Sequence, residues 1–186
     1  MGSTEASEVI AEIDELFRNL NNIRAMFPYM TDDMVGALEF ATAPFYRNQG
    51  FEIVFKFAVP MNAADIARIN GIGQWLNESY VVRLYALLNS REIVSDRVSI
   101  DFDLPGSTEI DLLRRLRRVV AHTSGRYNAD DPDEQKLCAR LREHFGLANG
   151  NPGAENHYPL PIDKVLAPLT EACKEYVGAI ANQEGC

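Results

Sequence analysis

The chain has 186 residues, of which 46% are hydrophobic and 24% charged, ordinary usage for a globular protein with room for a proper core, most simply one domain spanning residues 1–186. Its formal net charge of -9 argues against broad, nonspecific nucleic-acid binding but leaves room for a small basic pocket. No apolar run reaches the ~20 residues of a membrane span, no basic-then-apolar leader opens the chain, and the three spaced cysteines, Cys138, Cys173 and Cys186, contain no CxxC pair. A reduced, cytoplasmic protein without membrane attachment, metal or cofactor is expected.

The first element is a helix. Ser3 or Thr4 can cap it, Glu5 and Glu8 suit its positive end, and Val9, Ile10, Ile13, Leu16, Phe17, Leu20 and Ile23 recur at three- and four-residue spacing before Pro28 ends it. Thr31-Asp32-Asp33 reads as a second helical start, with Met34, Leu38 and Phe40 as candidate core residues. From Phe51 to Val59 the apolar period switches to two, the pattern of a strand that Pro60 closes. A second alternating run, Val98, Ile100, Phe102 and Leu104, is its expected partner in a small two-stranded element.

Between those runs, Ala63 to Val94 reads as a long helix. Its expected buried face is Ile66, Ile69, Ile72, Trp75, Leu76, Tyr80, Leu84 and Leu87, and Gly71 and Gly73 mark a bend or a close helix contact. Asn77-Glu78-Ser79 matches a glycosylation sequon in pattern alone. A further helix starts near Thr108, with Ile110, Leu113, Leu116 and Val120 on one side. Pro132 to Phe145 forms another, with Leu137, Leu141 and Phe145 inward. Asn149 to Asn156 is a loop. The last helix starts at Pro161 and turns Ile162, Val165, Leu166, Leu169, Cys173, Val177 and Ile180 inward, with a fraying tail after Asn182. The fold class is therefore mainly α, a helical bundle of at least five helices with a small β element.

The chemistry concentrates in Leu112 to Asn128. Arg114, Arg115, Arg117, Arg118 and Arg126 supply five of the chain's 18 basic residues, with His122 among them. A guanidinium holds phosphate oxygens through two parallel hydrogen bonds, and a neighbouring imidazole takes and returns a proton near neutrality, so the two together can support RNA cleavage without metal. Arg118 shares a face with His122, whereas Arg117, five residues earlier, lies about 140° around the helix and meets it only if the helix end unwinds. Other readings of the same residues are a capping role for His122, a solvated or ion-paired face for Arg114 and Arg115, and loop packing for Tyr127 and Asn128. His144 and His157 have no metal-ligand spacing with each other or with His122.

Arg117, four intervening residues and His122 together resemble the Arg-(four to six residues)-His signature of the HEPN superfamily, the higher eukaryotes and prokaryotes nucleotide-binding domains. The resemblance extends over about Ala63 to Ile180, with LNESYVVRLYALLNS before the motif and PIDKVLAPLTEACKEYV after it, and leaves out residues 1–60. It implies an all-α fold and a homodimer whose two motifs face one cleft. It also implies metal-independent ribonuclease activity, or RNA binding without catalysis, in toxin–antitoxin, abortive-infection or RNA-processing systems, with an antitoxin-type protein as a partner. On that reading Arg117 and His122 are catalytic, and Arg114, Arg115, Arg118, Arg126, Tyr127 and Asn128 contact RNA. Arg118 stands where active members commonly carry Asn, Asp or His. The rival reading is a non-enzymatic helical protein that uses the arginine helix to bind an acidic partner.

Overall fold

A computed structural model describes residues 2–41, 53–95, 97–123, 125–147 and 157–184. Five α-helices are present among them: α1 (Ser3–Met26), α2 (Ala63–Ser90), α3 (Ser107–Thr123), α4 (Pro132–His144) and α5 (Ala167–Glu184), the last preceded by a π-helical turn over Ile162–Leu166. Two short strands, β1 (Glu39–Ala41) and β2 (Val54–Lys56), form an antiparallel pair. The mainly helical fold with a small two-stranded element is thus as the periodicities indicate. The expected Asn149–Asn156 loop, Phe51, Ser124 and Cys186 lie outside the described residues.

Helices α1, α2, α3 and α5 pack on one another, and α4 lies against α3. Their shared core gathers Val9 and Ile13 from α1, Tyr80, Leu84 and Leu88 from α2, Ile110, Leu113 and Leu116 from α3, Leu141 from α4, and Leu169, Cys173 and Val177 from α5. A smaller apolar cluster of Met30, Phe40, Met61 and Ile66 ties the strand pair to the start of α2, with Phe55 and Phe57 stacked on Phe40.

Several expectations are corrected. The α1 N-cap is Gly2, with no side-chain cap, because the helix begins one residue early and takes Ser3 and Thr4 inside it. Ile23, near its C-terminal end, is exposed. β2 pairs with β1 in the register Phe40↔Phe55 and not with the Val98 run. That run is no strand: Ser95 Oγ accepts from the amides of Arg97 and Val98, and Asp101 Oδ1 accepts from Asp103 N. Local side-chain acceptors satisfy the backbone and compete with a ladder. Ile100 anchors this turn in the core while Val98 and Phe102 remain exposed, which is why the run mimics a strand. Leu38 is exposed, and α2 ends at Ser90, short of Val94.

The largest correction concerns the face of α2. Its buried stripe runs through Ile66, Gly73, Asn77, Tyr80, Val81, Leu84 and Leu88, and Trp75 is 63% exposed, with Ile72 also at the surface. Burial follows Gly73, because the buried Arg24 of α1 lies against that glycine and donates to the Phe27 carbonyl. An added methyl there would overlap the guanidinium, so α2 turns Gly73 inward and Trp75 outward.

Candidate functional site

The second turn of α3 carries an acid that organises much of the helix's positive charge. Asp111 is buried, and its carboxylate accepts from Arg114 Nη2 at 2.9 Å, Arg115 Nε at 3.0 Å and, across the α3–α4 contact, Arg140 Nη1 at 2.8 Å. Burial pushes this carboxyl up, but the bonds from Arg140 and Arg114 and the charge of Arg115 outweigh it and hold Asp111 below its ordinary value. Arg114 and Arg115 are thereby ion-paired within the chain, as one of the sequence readings has it, but on a buried carboxylate and not on the acidic surface.

Arg117 is half-buried, its guanidinium 5.0 Å from the centre of the Tyr85 ring on α2, a cation–π contact. Helix α3 stays regular through Thr123. At 3.6 residues per turn Arg117 and His122 therefore remain about 140° apart, and nothing among the described residues joins them within one chain. Arg118 and His122 are both exposed on the outer face of α3, roughly 160° around from Val120, which faces α2. Tyr127 packs edge-on against Tyr158, and Asn128 shapes the loop: its amide donates to Glu134 and its side chain accepts from Asp130 N. Arg126 is exposed, and its backbone pairs with that of His157 in an isolated antiparallel bridge.

Beside α3 lies a cleft. A cavity of about 340 Å³ is lined by Trp75, Glu78, Ser79, Val82 and Arg83 of α2 and by Val120 of α3. The indole of Trp75, the chain's single tryptophan, stands at the surface there. Arg83 is exposed and makes no ion pair among the described residues. Glu78 is 4% exposed. One oxygen, Oε1, accepts from Gln74 Nε2 at 2.9 Å and from His157 Nδ1 at 2.8 Å.

The same polar edge of α2 holds the extended segment before α5. Gln74 also donates to the Tyr158 carbonyl, and Asn77 Nδ2 donates to the Leu160 carbonyl. Asn77 is buried, so the sequon is no modification site in the folded chain. Tyr158 donates its hydroxyl to Glu134, and burial together with that carboxylate pushes its pKa well up. Gly125 closes α3 at φ 75°, donates to the Val120 carbonyl, and leaves space for the Glu78 carboxylate.

Four residues of this region escape sequence reasoning as functional candidates: Trp75, Glu78, Arg83 and His157. Their proximity depends on the packing of α2 against α3 and the segment at 157–160. The one local hint is a run of polar residues, Gln74, Asn77 and Glu78, on what reads as a buried helix. Among the described residues no group of three or more His, Cys, Asp or Glu is placed to hold a metal ion, and no helix is long and apolar enough to cross a membrane. Comparison with family models, curated proteins and solved structures yields no match.

Proposed function

We propose that this chain is a HEPN-like RNA-binding protein that takes single-stranded RNA along the α2–α3 cleft and around the C-terminal end of α3. The observation that carries this reading is the exposed Trp75 beside Arg83, which makes no ion pair among the described residues, on one open cavity. Single strands bind where bases stack on an aromatic ring and guanidiniums meet the phosphates. Arg126 extends the positive charge past the end of α3, and Arg118 extends it onto the outer face. Membership of the HEPN superfamily, a homodimer, an antitoxin-type protein partner and a role in bacterial defence belong to this reading through the Arg117–His122 spacing, and a cytoplasmic location through the unpaired pattern of the cysteines. Cleavage by that pair would draw the two residues from different copies, because a regular α3 separates them within one.

The test uses the lone tryptophan. Titration with a short single-stranded RNA should quench Trp75 fluorescence saturably, with an affinity that falls steeply as salt rises, because phosphate contacts release counterions. Absence of saturable quenching by any RNA would overturn the proposal. The rival reading, a non-enzymatic protein with an acidic partner, gains from the same groove if an acidic peptide quenches Trp75 and RNA does not.

A further inference from the structure

We infer that His157, oriented by the buried Glu78 and placed opposite Arg126, is the group that moves the proton in cleavage of RNA held at this face, an inference that rests on the RNA-binding reading above. The two histidines near the end of α3 differ in what surrounds them. His122 is exposed and bonds to no carboxylate among the described residues. His157 binds a carboxylate that is nine-tenths buried, with 5% side-chain exposure for Glu78 and 24% for His157.

Burying a carboxylate is costly unless its oxygens are bonded. Here the fold supplies two donors on one oxygen, Gln74 at 2.9 Å and His157 at 2.8 Å. It also gives up a side chain at Gly125, whose φ is 75° and whose missing Cβ would overlap the carboxylate. In the tautomer that donates Nδ1–H to Glu78 the lone pair lies on Nε2, and Nε2 has no hydrogen-bond partner among the described residues. A base oriented by a carboxylate, with its other nitrogen open, is the arrangement that activates a hydroxyl nucleophile. Among the described residues, the ring bonds to Glu78 of α2, and Arg126 lies opposite across the backbone bridge. Directly opposed residues of an antiparallel pair have Cβ atoms about 4.5–5.5 Å apart, so Arg126 can hold the phosphate whose neighbouring hydroxyl the imidazole reaches.

In the step proposed, His157 Nε2 accepts the proton of a ribose 2′-hydroxyl as that oxygen attacks the adjoining phosphorus. The P–O5′ bond breaks, leaving a 2′,3′-cyclic phosphate on one fragment. The departing 5′-oxygen takes a proton from water, and the imidazolium returns its own proton to solvent. Arg126 stays charged throughout and bonds the non-bridging oxygens.

The experiment pairs binding and cleavage on the full chain with one labelled single-stranded RNA oligonucleotide. Binding is read by anisotropy on the DNA version, which lacks the attacking hydroxyl. Wild type should cleave to 2′,3′-cyclic phosphate ends, and His144→Ala should cleave equally well. His157→Ala should lose at least 100-fold in rate while binding is kept, consistent with the 10²–10⁴-fold that positioned proton transfer contributes. Added imidazole should restore part of that rate. Glu78→Gln should lower kcat about 10–100-fold at unchanged KM. The loss falls on kcat and not on KM, a split that a merely structural carboxylate would not give. RNA bound but not cleaved by wild type overturns this inference and leaves the binding reading intact. Failure to bind RNA or its DNA version at all overturns both. Cleavage that survives His157→Ala and disappears with His122→Ala overturns it in favour of the Arg117–His122 pair.

Discussion

The Glu78 carboxylate of α2 lies directly against the α-carbon of Gly125, two residues past the end of α3. The turn that closes the arginine helix and the one buried carboxylate of the cleft are therefore packed as a unit. Gly125→Ala should be destabilising twice over: alanine resists φ 75°, and its methyl overlaps the carboxylate. We expect a loss of about 2–4 kcal/mol in urea unfolding. The loss should shrink when Glu78→Ala is also present, because neighbouring substitutions are not additive. Equal losses in both backgrounds would show that the overlap contributes nothing.

Asp111 makes acid stability a second readout. Its folded-state carboxyl is held below the ordinary value, so its contribution is fully present above the unfolded value of about 3.9 and is lost as pH falls through the folded value. Asp111→Asn should therefore flatten the acid arm of the stability–pH curve and cost about 1.5–3 kcal/mol at neutral pH, the range for hydrogen bonds to a charged group. Arg115→Ala should cost under about 1 kcal/mol, because that side chain is mostly solvated and its pair is screened. An unchanged acid arm in Asp111→Asn would contradict the cluster.

Much of the bundle is legible in the sequence. The three- and four-residue spacing places Leu113, Leu116, Val120, Leu84, Leu166 and Leu169 correctly in the interior, because in these helices the apolar side chains and the packed faces coincide. It misplaces Trp75 because size and hydrophobicity set the pattern, whereas Gly73 and the buried Arg24 set the rotation of α2. For Arg114 and Arg115 the sequence offers a solvated or an ion-paired face but not the partner, since neither the clamp from Arg140 nor the burial of Asp111 is visible along the chain. Glu78 and His157 are 79 residues apart in sequence. Their pairing has no local signature, whereas the Arg117–His122 spacing is visible precisely because it is local.

The contrast between Leu116 and Trp75 tests this account of α2 and α3. Leu116 is fully buried, and Leu116→Ala should cost about 2–5 kcal/mol. Trp75→Ala should change stability by less than about 1 kcal/mol despite removing the larger side chain, because the indole is mostly in water. It should weaken RNA binding by about 1–3 kcal/mol, the loss measured for one stacked base. A large stability loss at Trp75 would return it to the core.

Salt dependence separates the arginines that remain available from those already engaged. Arg83 and Arg126 are exposed and without ion pairs among the described residues, while Arg114 and Arg115 share Asp111. Each phosphate contact contributes roughly one unit to the slope of log K against log salt, so Arg83→Gln and Arg126→Gln should each reduce the slope by about one. Arg114→Gln should leave it nearly unchanged and lower stability instead, because its loss uncovers part of a buried carboxylate. Slopes reduced equally by all three substitutions would mean that RNA pulls Arg114 away from Asp111. In that case Asp111→Asn, which releases Arg114 and Arg115, should tighten binding at low salt.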